Sequence, residues 1–399
     1  MNHSDILPLL WHVFAATLFW ASLGALLYTY ALYPLLVRLL TRGRVYSGPA
    51  FTERELPTVS ILIPAHNERA VIEQKITGIY RSAYPLAKVE VIIGSDASTD
   101  GTDEIVLALT KTHQRLSLVR MEERSGKASV LNRLSGQATG DIIVLTDANV
   151  LFKEDTLFEL IKYFKGGDVG LIDTTMQHMG IRKQGIAIAE KTYLTGEAAL
   201  KHREGLLWGV MMGPFGGCYA VRRSLFPVIP SDCMVDDFYV CMRVLLQRYR
   251  AISALRAIVV EDISNDMGDE FRRKVRIATG NFQNFAAFSS VLLRPDALSF
   301  VFFSHKVLRW LGPLFIIALC LLSLPLTHAT PLNFGIVLAG TAALALLLID
   351  RLLQRINVHL RVARLITHFA MTNIAMFIGM VRFLGRSHTG IWTPTRRHQ

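Results

Sequence analysis

The distribution of apolar positions divides the chain into distinct regimes. From Val13 to Val37 there is no charged residue, a length sufficient for a helix to span a bilayer. Two later apolar runs, Trp310 to Leu326 and Leu332 to Ile349, are separated by Thr327-His328-Ala329-Thr330-Pro331 and predict a membrane hairpin. A further run, Leu365 to Val381, is flanked by arginines on both sides. Between about Leu56 and Asp269 the pattern changes to short aliphatic runs alternating with amphipathic stretches. Val59–Ile63, Val89–Ile93, Leu116–Met121 and Asp141–Thr146 read as strands. Helices are predicted up to about Ser82, up to near His113, from Gly126-Lys127 through Leu134, and from about Glu154 to Phe164. This alternation predicts an α/β fold, a parallel or mixed sheet flanked by helices on both faces.

Charge sets the expected topology. Arg38, Arg42 and Arg44 follow the first apolar run, while the residues before it carry only Asp5, so the following domain is expected in the cytoplasm. The length of that run and the lack of a basic flank before it favour an anchor over a cleaved signal peptide. Arg351, Arg355, Arg361 and Arg364 return the chain to the same side. A span at 365–381 would export Arg382, Arg386, Arg396 and Arg397, so that run is expected to lie in the interface or re-enter. The expected organisation is an anchor with a basic flank (1–45), a cytoplasmic domain (46–269), interfacial helices (270–304), a transmembrane hairpin (305–350) and a basic C-terminal segment (351–399).

Composition agrees. A hydrophobic share of 51% is too high for an ordinary soluble enzyme. The net charge of +11 is concentrated beside apolar runs, which points to anionic membrane lipids, and no nucleic-acid-binding motif accompanies it. The four cysteines have no metal-site spacing.

The chemistry gathers where strands stop. Three aliphatic runs end in polar clusters: Pro64-Ala65-His66-Asn67-Glu68, Asp96 with Ser98 and Asp100, and Asp147 with Asn149. Ligands of open α/β sheets bind outside the carboxyl ends of strands. Asp147 and Asn149 stand two positions apart and share a side in extended backbone, offering oxygen ligands to Mg2+ or Mn2+. Lys127 follows a glycine at a helix start, where backbone N–H groups favour phosphate. Each residue alone could be a turn, a cap or a solvated charge. Together, in this order, they fit a nucleoside diphosphate.

The runs Ser60 to Glu68, Ser95-Asp-Ala-Ser-Thr-Asp-Gly-Thr102, Ser125-Gly-Lys-Ala128 and Thr146-Asp-Ala-Asn149 resemble the signature set of membrane-bound family 2 glycosyltransferases, the poly-N-acetylglucosamine synthase-like group among them. That resemblance implies a GT-A fold and inverting transfer from a nucleotide-diphosphate sugar, usually a UDP-sugar. It assigns Pro64, Ala65, His66, Asn67, Glu68 and Asp96 to the nucleoside, and places Lys127 near the diphosphate. Asp147 would approach the donor, and Asp147 with Asn149 would stand in for a metal-binding Asp-x-Asp pair, Asn149 departing from it.

The second half is expected to hold the acceptor. Trp208 and the run Gly216-Gly217-Cys218-Tyr219 offer close backbone approach and a flat aromatic face, although a glycine-rich turn into a strand has the same pattern. Asp236-Asp237 opens an amphipathic helix, where acids also serve as caps. One of the two would accept the acceptor hydroxyl's proton, and the resemblance singles out Asp237. Phe271-Arg-Arg-Lys-Val-Arg-Ile277 sits where processive synthases carry Gln-x-x-Arg-Trp: Arg276 matches, whereas Arg273 and Ile277 replace Gln and Trp. Arg273 and Arg276 are therefore candidate diphosphate contacts on a helix that is also patterned for an interface. Gly390-Ile-Trp392 to Arg396 is similar to a tail of some relatives. The expectation is a membrane glycosyltransferase acting on a lipid-linked or growing surface glycan, with an export or assembly partner conceivable. Its rivals are a processive polysaccharide synthase that exports its polymer and a non-catalytic nucleotide- or glycan-binding subunit of an export complex.

Overall fold

The computed structural model describes residues 3–179, 186–262, 267–323, 331–355 and 360–386. Helix α1 (His3–Leu27) continues through a π-helical turn, Tyr28–Leu32, into α2 (Tyr33–Leu40). Leu10–Leu40 is long and apolar enough to cross a membrane, extending the charge-free run at both ends.

The central domain starts with β1 (Val59–Ala65), α3 (Ile72–Tyr80), β2 (Val89–Ser95), α4 (Thr102–Thr110), β3 (Leu116–Arg120), α5 (Lys127–Ser135) and β4 (Ile142–Thr146). It continues with β5 (Leu151–Phe152), α6 (Thr156–Ile161), β6 (Val169–Met179), α7 (Ile186–Trp208), β7 (Cys218–Arg222), α8 (Asp236–Leu246) and β8 (Arg250–Asp262). The eight strands form one sheet in the order β3-β2-β1-β4-β7-β6-β8-β5. β1 runs parallel to β2 and β4, and β2 parallel to β3. β7 is antiparallel to β4 and β6, which makes the sheet mixed. Side chains alternate across it. Ile61, Ile63, Val91, Ile93 and Val144 face one core with Ile72 and Ile76 of α3. Leu62, Ile92, Ile143 and Leu145 face the other with Leu131 of α5 and Val240 of α8.

One pairing positions the site. Because β7 is antiparallel to β4, its amino end meets the carboxyl end of β4, with Thr146 opposite Cys218. The glycine run before β7 therefore arrives beside Asp147, whose N–H donates to Gly217 O at 3.0 Å.

The remaining helices are α9 (Met267–Ala287), α10 (Ala297–Val301), α11 (Leu308–Trp310), α12 (Gly312–Ser323), α13 (Pro331–Arg355) and α14 (Arg361–Leu384). A second π-helical turn, Phe302–Val307, joins α10 to α11. Asn333–Leu353 and Val362–Leu384 have the length and composition of spans. Ala297–Trp310 and Gly312–Ser323 reach that length only as a pair bent by 54°, so the first arm of the expected hairpin is a broken one. The helix expected to lie in the interface thus also has a span's dimensions, and it packs along α9. Gly379 allows this approach, since a Cβ there would fall 2.4 Å from Ala278 Cβ. Most of the predicted turn before Pro331 (residues 327–330) and the tail containing Trp392 lie outside the described residues.

Candidate active site

The turn after β4 is held from beneath by a buried lysine. Lys75 of α3 donates to Thr146 Oγ1 at 2.8 Å and to the Val150 carbonyl, and lies 4.1 Å from the Phe152 ring centre. Burial lowers its pKa to about 7, with the Cys218 thiol and Asp147 acting in the opposite direction. Above this support, Lys127 opens α5 and donates to Asp147 Oδ1 at 2.9 Å; its Nζ is 3.8 Å from Asp236 Oδ2. Burial disfavours the Lys127 charge, but Asp147, Asp236 and Asp237 outweigh it and hold the ammonium pKa above its ordinary value.

Asn149 donates its amide to Glu261 Oε1 at 3.0 Å, which orients the side chain. Glu261 ends β8, and sequence reasoning gave it no role; an acidic pair closing a strand was the available signal. Asp147, the Asn149 amide oxygen and Glu261 make an oxygen-only set, and the Asp147 side chain is 35% exposed. Among the described residues no cluster of three or more His, Cys, Asp or Glu is placed to enclose a metal by itself. The set suits a hard cation that completes its shell with substrate oxygens.

Asp236 and Asp237 form the first turn of α8. Asp237 Oδ1 accepts the Phe238 N–H at 2.7 Å. Burial, then the charge of Asp236, pushes the Asp237 carboxyl up to about 6, with Lys127 opposing. Gly216 lies directly against this carboxylate: a Cβ on it would stand 2.7 Å from Asp237 Oδ2. A Cβ on Gly217 would meet Met176 Cε at 2.7 Å. Gly216 therefore serves close packing on Asp237, and Gly217 close packing on Met176 and Val150.

Two expected acceptor side chains are corrected. Tyr219 is 1% exposed, so its ring has no open face for a sugar. Strand alternation turns it into the core on the α8 side, where burial and then Asp236 and Asp237 raise its hydroxyl pKa well above the ordinary value. Cys218 is enclosed on the opposite face, and burial pushes its thiol up to about 12. Trp208 ends α7 and packs edge-on against Phe300 at 5.7 Å, at the junction with the membrane-side helices.

The arginines separate. Arg276 donates to Met234 O at 3.2 Å, beside the start of α8; burial lowers its pKa, while Asp236, Asp147 and Asp237 act to raise it. Arg273 is exposed on α9 and pairs with Glu270 at 3.5 Å. The polar cluster expected at the nucleoside is assembled mainly by its own hydrogen bonds. Asp96 accepts from Ser125 N at 2.7 Å and Gly126 N at 3.1 Å, tying the end of β2 to the start of α5. His66 Nδ1 lies 2.8 Å from Asp96 O, and Asn67, at φ 55°, accepts from Thr99 N at 2.9 Å. Glu68 is buried and its N–H donates to Thr102 Oγ1 at 2.9 Å, while Pro64 and Ala65 end β1.

Residues 60–227 match the family model described as Glycosyl transferase family 2. The chain carries a family 2 glycosyltransferase domain. A probable glycosyltransferase of Bacillus subtilis, YdaM, is 29% identical over 243 residues, 57% of this chain and 56% of the relative. A beta-monoglucosyldiacylglycerol synthase of Nostoc sp. is 31% identical over 268 residues, 63% of this chain and 56% of the relative. The chain thus spans about half the length of these curated relatives. The mannosyltransferase PcManGT from Pyrobaculum calidifontis, solved with GDP-Man and Mn2+, superposes with a TM-score of 0.71 at 24% identity, covering 94% of this chain and 99% of that one. That likeness gives the family 2 domain its GT-A fold.

Proposed function

We propose that the chain is an integral membrane, inverting glycosyltransferase that moves a sugar from a nucleoside-diphosphate sugar, a UDP-sugar as the family resemblance implies, to a lipid-linked acceptor. The observation that carries this reading is Asp237: a carboxylate raised to about 6 by burial and the charge of Asp236, facing the Lys127–Asp147 pair at the carboxyl edge of the sheet. Such a group accepts a proton near neutral pH. Asp237 takes the proton of the acceptor hydroxyl while that oxygen bonds to the anomeric carbon. The bond from this carbon to the diphosphate oxygen breaks on the opposite side, and the nucleoside diphosphate leaves. Lys127 and Arg276 supply positive charge where the leaving group gains negative charge. Asp147 and Asn149 would hold Mg2+ or Mn2+, with Glu261 orienting Asn149; a bound cation there neutralises diphosphate charge. His66 to Glu68 and Asp96 form the nucleoside end.

A lipid acceptor is favoured by α9. Its Gly280 packs on Val235, where a Cβ would meet Val235 Cγ2 at 2.5 Å, and its Ala278 touches Gly379 of α14. One helix therefore separates the base from a helix of membrane-spanning dimensions. The Nostoc relative's name also specifies a glycolipid. The charge pattern supports a cytoplasmic position for this face.

Membranes containing wild type or Asp237→Asn would receive labelled UDP-sugars and GDP-mannose with Mg2+ or Mn2+. Label that enters organic solvent only with wild type is the expected result. Equal transfer by both proteins would remove Asp237 from the chemistry, and label in high-molecular-weight aqueous material would replace the lipid acceptor by a polymer.

A further inference from the structure

Below the base lies a buried ion pair that the reaction scheme does not use. Asp173 of β6 and Lys201 of α7 stand 3.3 Å apart, both essentially enclosed. Lys201 Nζ also donates to Gly213 O at 2.8 Å and lies 3.8 Å from the Phe215 ring centre. The other Asp173 oxygen accepts the Phe215 N–H at 3.1 Å. The pair thus grips the 213–215 backbone from behind. In front, the same loop presses on α8. A Cβ on Gly213 would fall 2.8 Å from Phe238 Cδ2, and one on Gly216 would fall 2.7 Å from Asp237 Oδ2. Gly213 has φ 82°, which confines that position to glycine.

We propose that Lys201 and Asp173 are positioning residues that clamp the 213–217 loop against Asp237, and that α7 registers this clamp to the membrane-side helices. Glu197, Lys201 and Glu204 fall on one face of α7 by helical spacing. Glu204 accepts from Tyr33 Oη at 2.8 Å and contacts His305 Nδ1 at 2.9 Å. Glu197 meets His305 Nε2 at 2.9 Å, Lys306 Nζ at 2.7 Å and Arg309 Nη1. Tyr33 begins α2, and His305 lies in the second π-helical turn. A single stripe of α7 therefore holds the anchor helix, the broken membrane helix and the loop at the base.

The inference rests on the proposed role of Asp237, but its first test does not. Full-length protein in lipid nanodiscs would be compared by amide hydrogen exchange as wild type, Lys201→Met, Lys201→Arg, and Lys201→Met with Asp173→Asn, which removes both charges and leaves none buried alone. Exchange at 213–218 is expected to quicken roughly tenfold in Lys201→Met and the double variant, with β1 unchanged and Lys201→Arg near wild type. Unchanged exchange at 213–218 in a folded double variant would overturn the clamp. Steady-state transfer from whichever of UDP-glucose, UDP-N-acetylglucosamine or GDP-mannose the wild type uses should then show a lower kcat with donor KM retained, recovered by Lys201→Arg. A raised donor KM at unchanged kcat would assign the pair to donor binding and overturn the positioning role. If the wild type transfers none of these sugars, the donor reading fails, and the exchange result still decides the clamp.

Discussion

Replacing Gly216 by alanine tests the geometry of the base with a single methyl group. The Gly216 backbone lies outside the left-handed region, so alanine adds no conformational strain. The new Cβ would stand 2.7 Å from Asp237 Oδ2 and 3.2 Å from Cγ. Ordinary contact begins at 3.4 Å, so the carboxylate must retreat by about 0.7 Å. The Phe238 N–H holds its other oxygen, so the retreat also disturbs the start of α8. A misplacement near 1 Å lowers rates by on the order of 10²-fold, so a fall in kcat of a few tens of fold is expected, about 2 kcal/mol in the barrier. Overpacking of this size costs about 1 kcal/mol of stability, a shift of a few degrees in Tm. The assay is donor turnover in nanodiscs with thermal unfolding measured in parallel. Gly217→Ala meets the flexible tip of Met176 and should be milder. Gly167→Ala meets nothing within 4 Å and is the control. Wild-type kcat in folded Gly216→Ala would refute the packing of this loop on the base.

Asp237→Asn should lower kcat by roughly 10³-fold while leaving donor KM within a few fold, read by single-turnover transfer. The rate should fall as pH drops through about 6, because the Asp237 carboxyl then already holds the proton that the base must accept. Lys127→Met removes the cation opposing that shift, so the acid limb should move to higher pH in a kcat/KM profile. Asn149→Asp combined with Glu261→Gln keeps a donor–acceptor contact between the two positions while placing a second charged oxygen beside Asp147, and should lower the Mn2+ concentration for half-activity by about tenfold. Gly379→Leu should prise α14 from α9 and lower Tm by several degrees, measured in the same nanodiscs.

The first half of the fold was legible because β1, β2 and β4 are buried in the sheet and appear as short aliphatic runs, broken only by Ser60 and Glu90. Their polar ends drew attention to Asp147 and to the His66–Glu68 and Asp96 cluster, which the sheet gathers at one edge with Lys127 beside them. Of the second half, only β7 and α8 were legible. α7 turns Glu197, Lys201 and Glu204 inward, so a helix of 23 residues carries no apolar stripe to announce it. β5 has two residues, too few for any periodicity. Lys75, Asp173, Lys201 and Glu261 escaped for a related reason. A charge on a helix or at a strand end reads as solvated until tertiary structure shows the partner that buries it. Tyr219 went wrong through the same blindness to facing: the strand was visible, its inward side was not.

The wedging of α9 between α14 and the start of α8 has a geometric consequence. Packed helices stand about 8–10 Å apart, nearer the lower figure where Gly280 and Gly379 form the contacts, so two such layers set the proposed base about 16 Å from the α14 axis. Were α14 to lie along the interface, as its flanking arginines lead one to expect, that separation would be a fixed stand-off height. An acceptor would then be sorted by how far its hydroxyl projects above the headgroups, with little regard to the tail that carries it. Lengthening the acceptor by a sugar would lift its next hydroxyl past the base. The fold would in this way count additions by altitude, without a dedicated pocket for chain length.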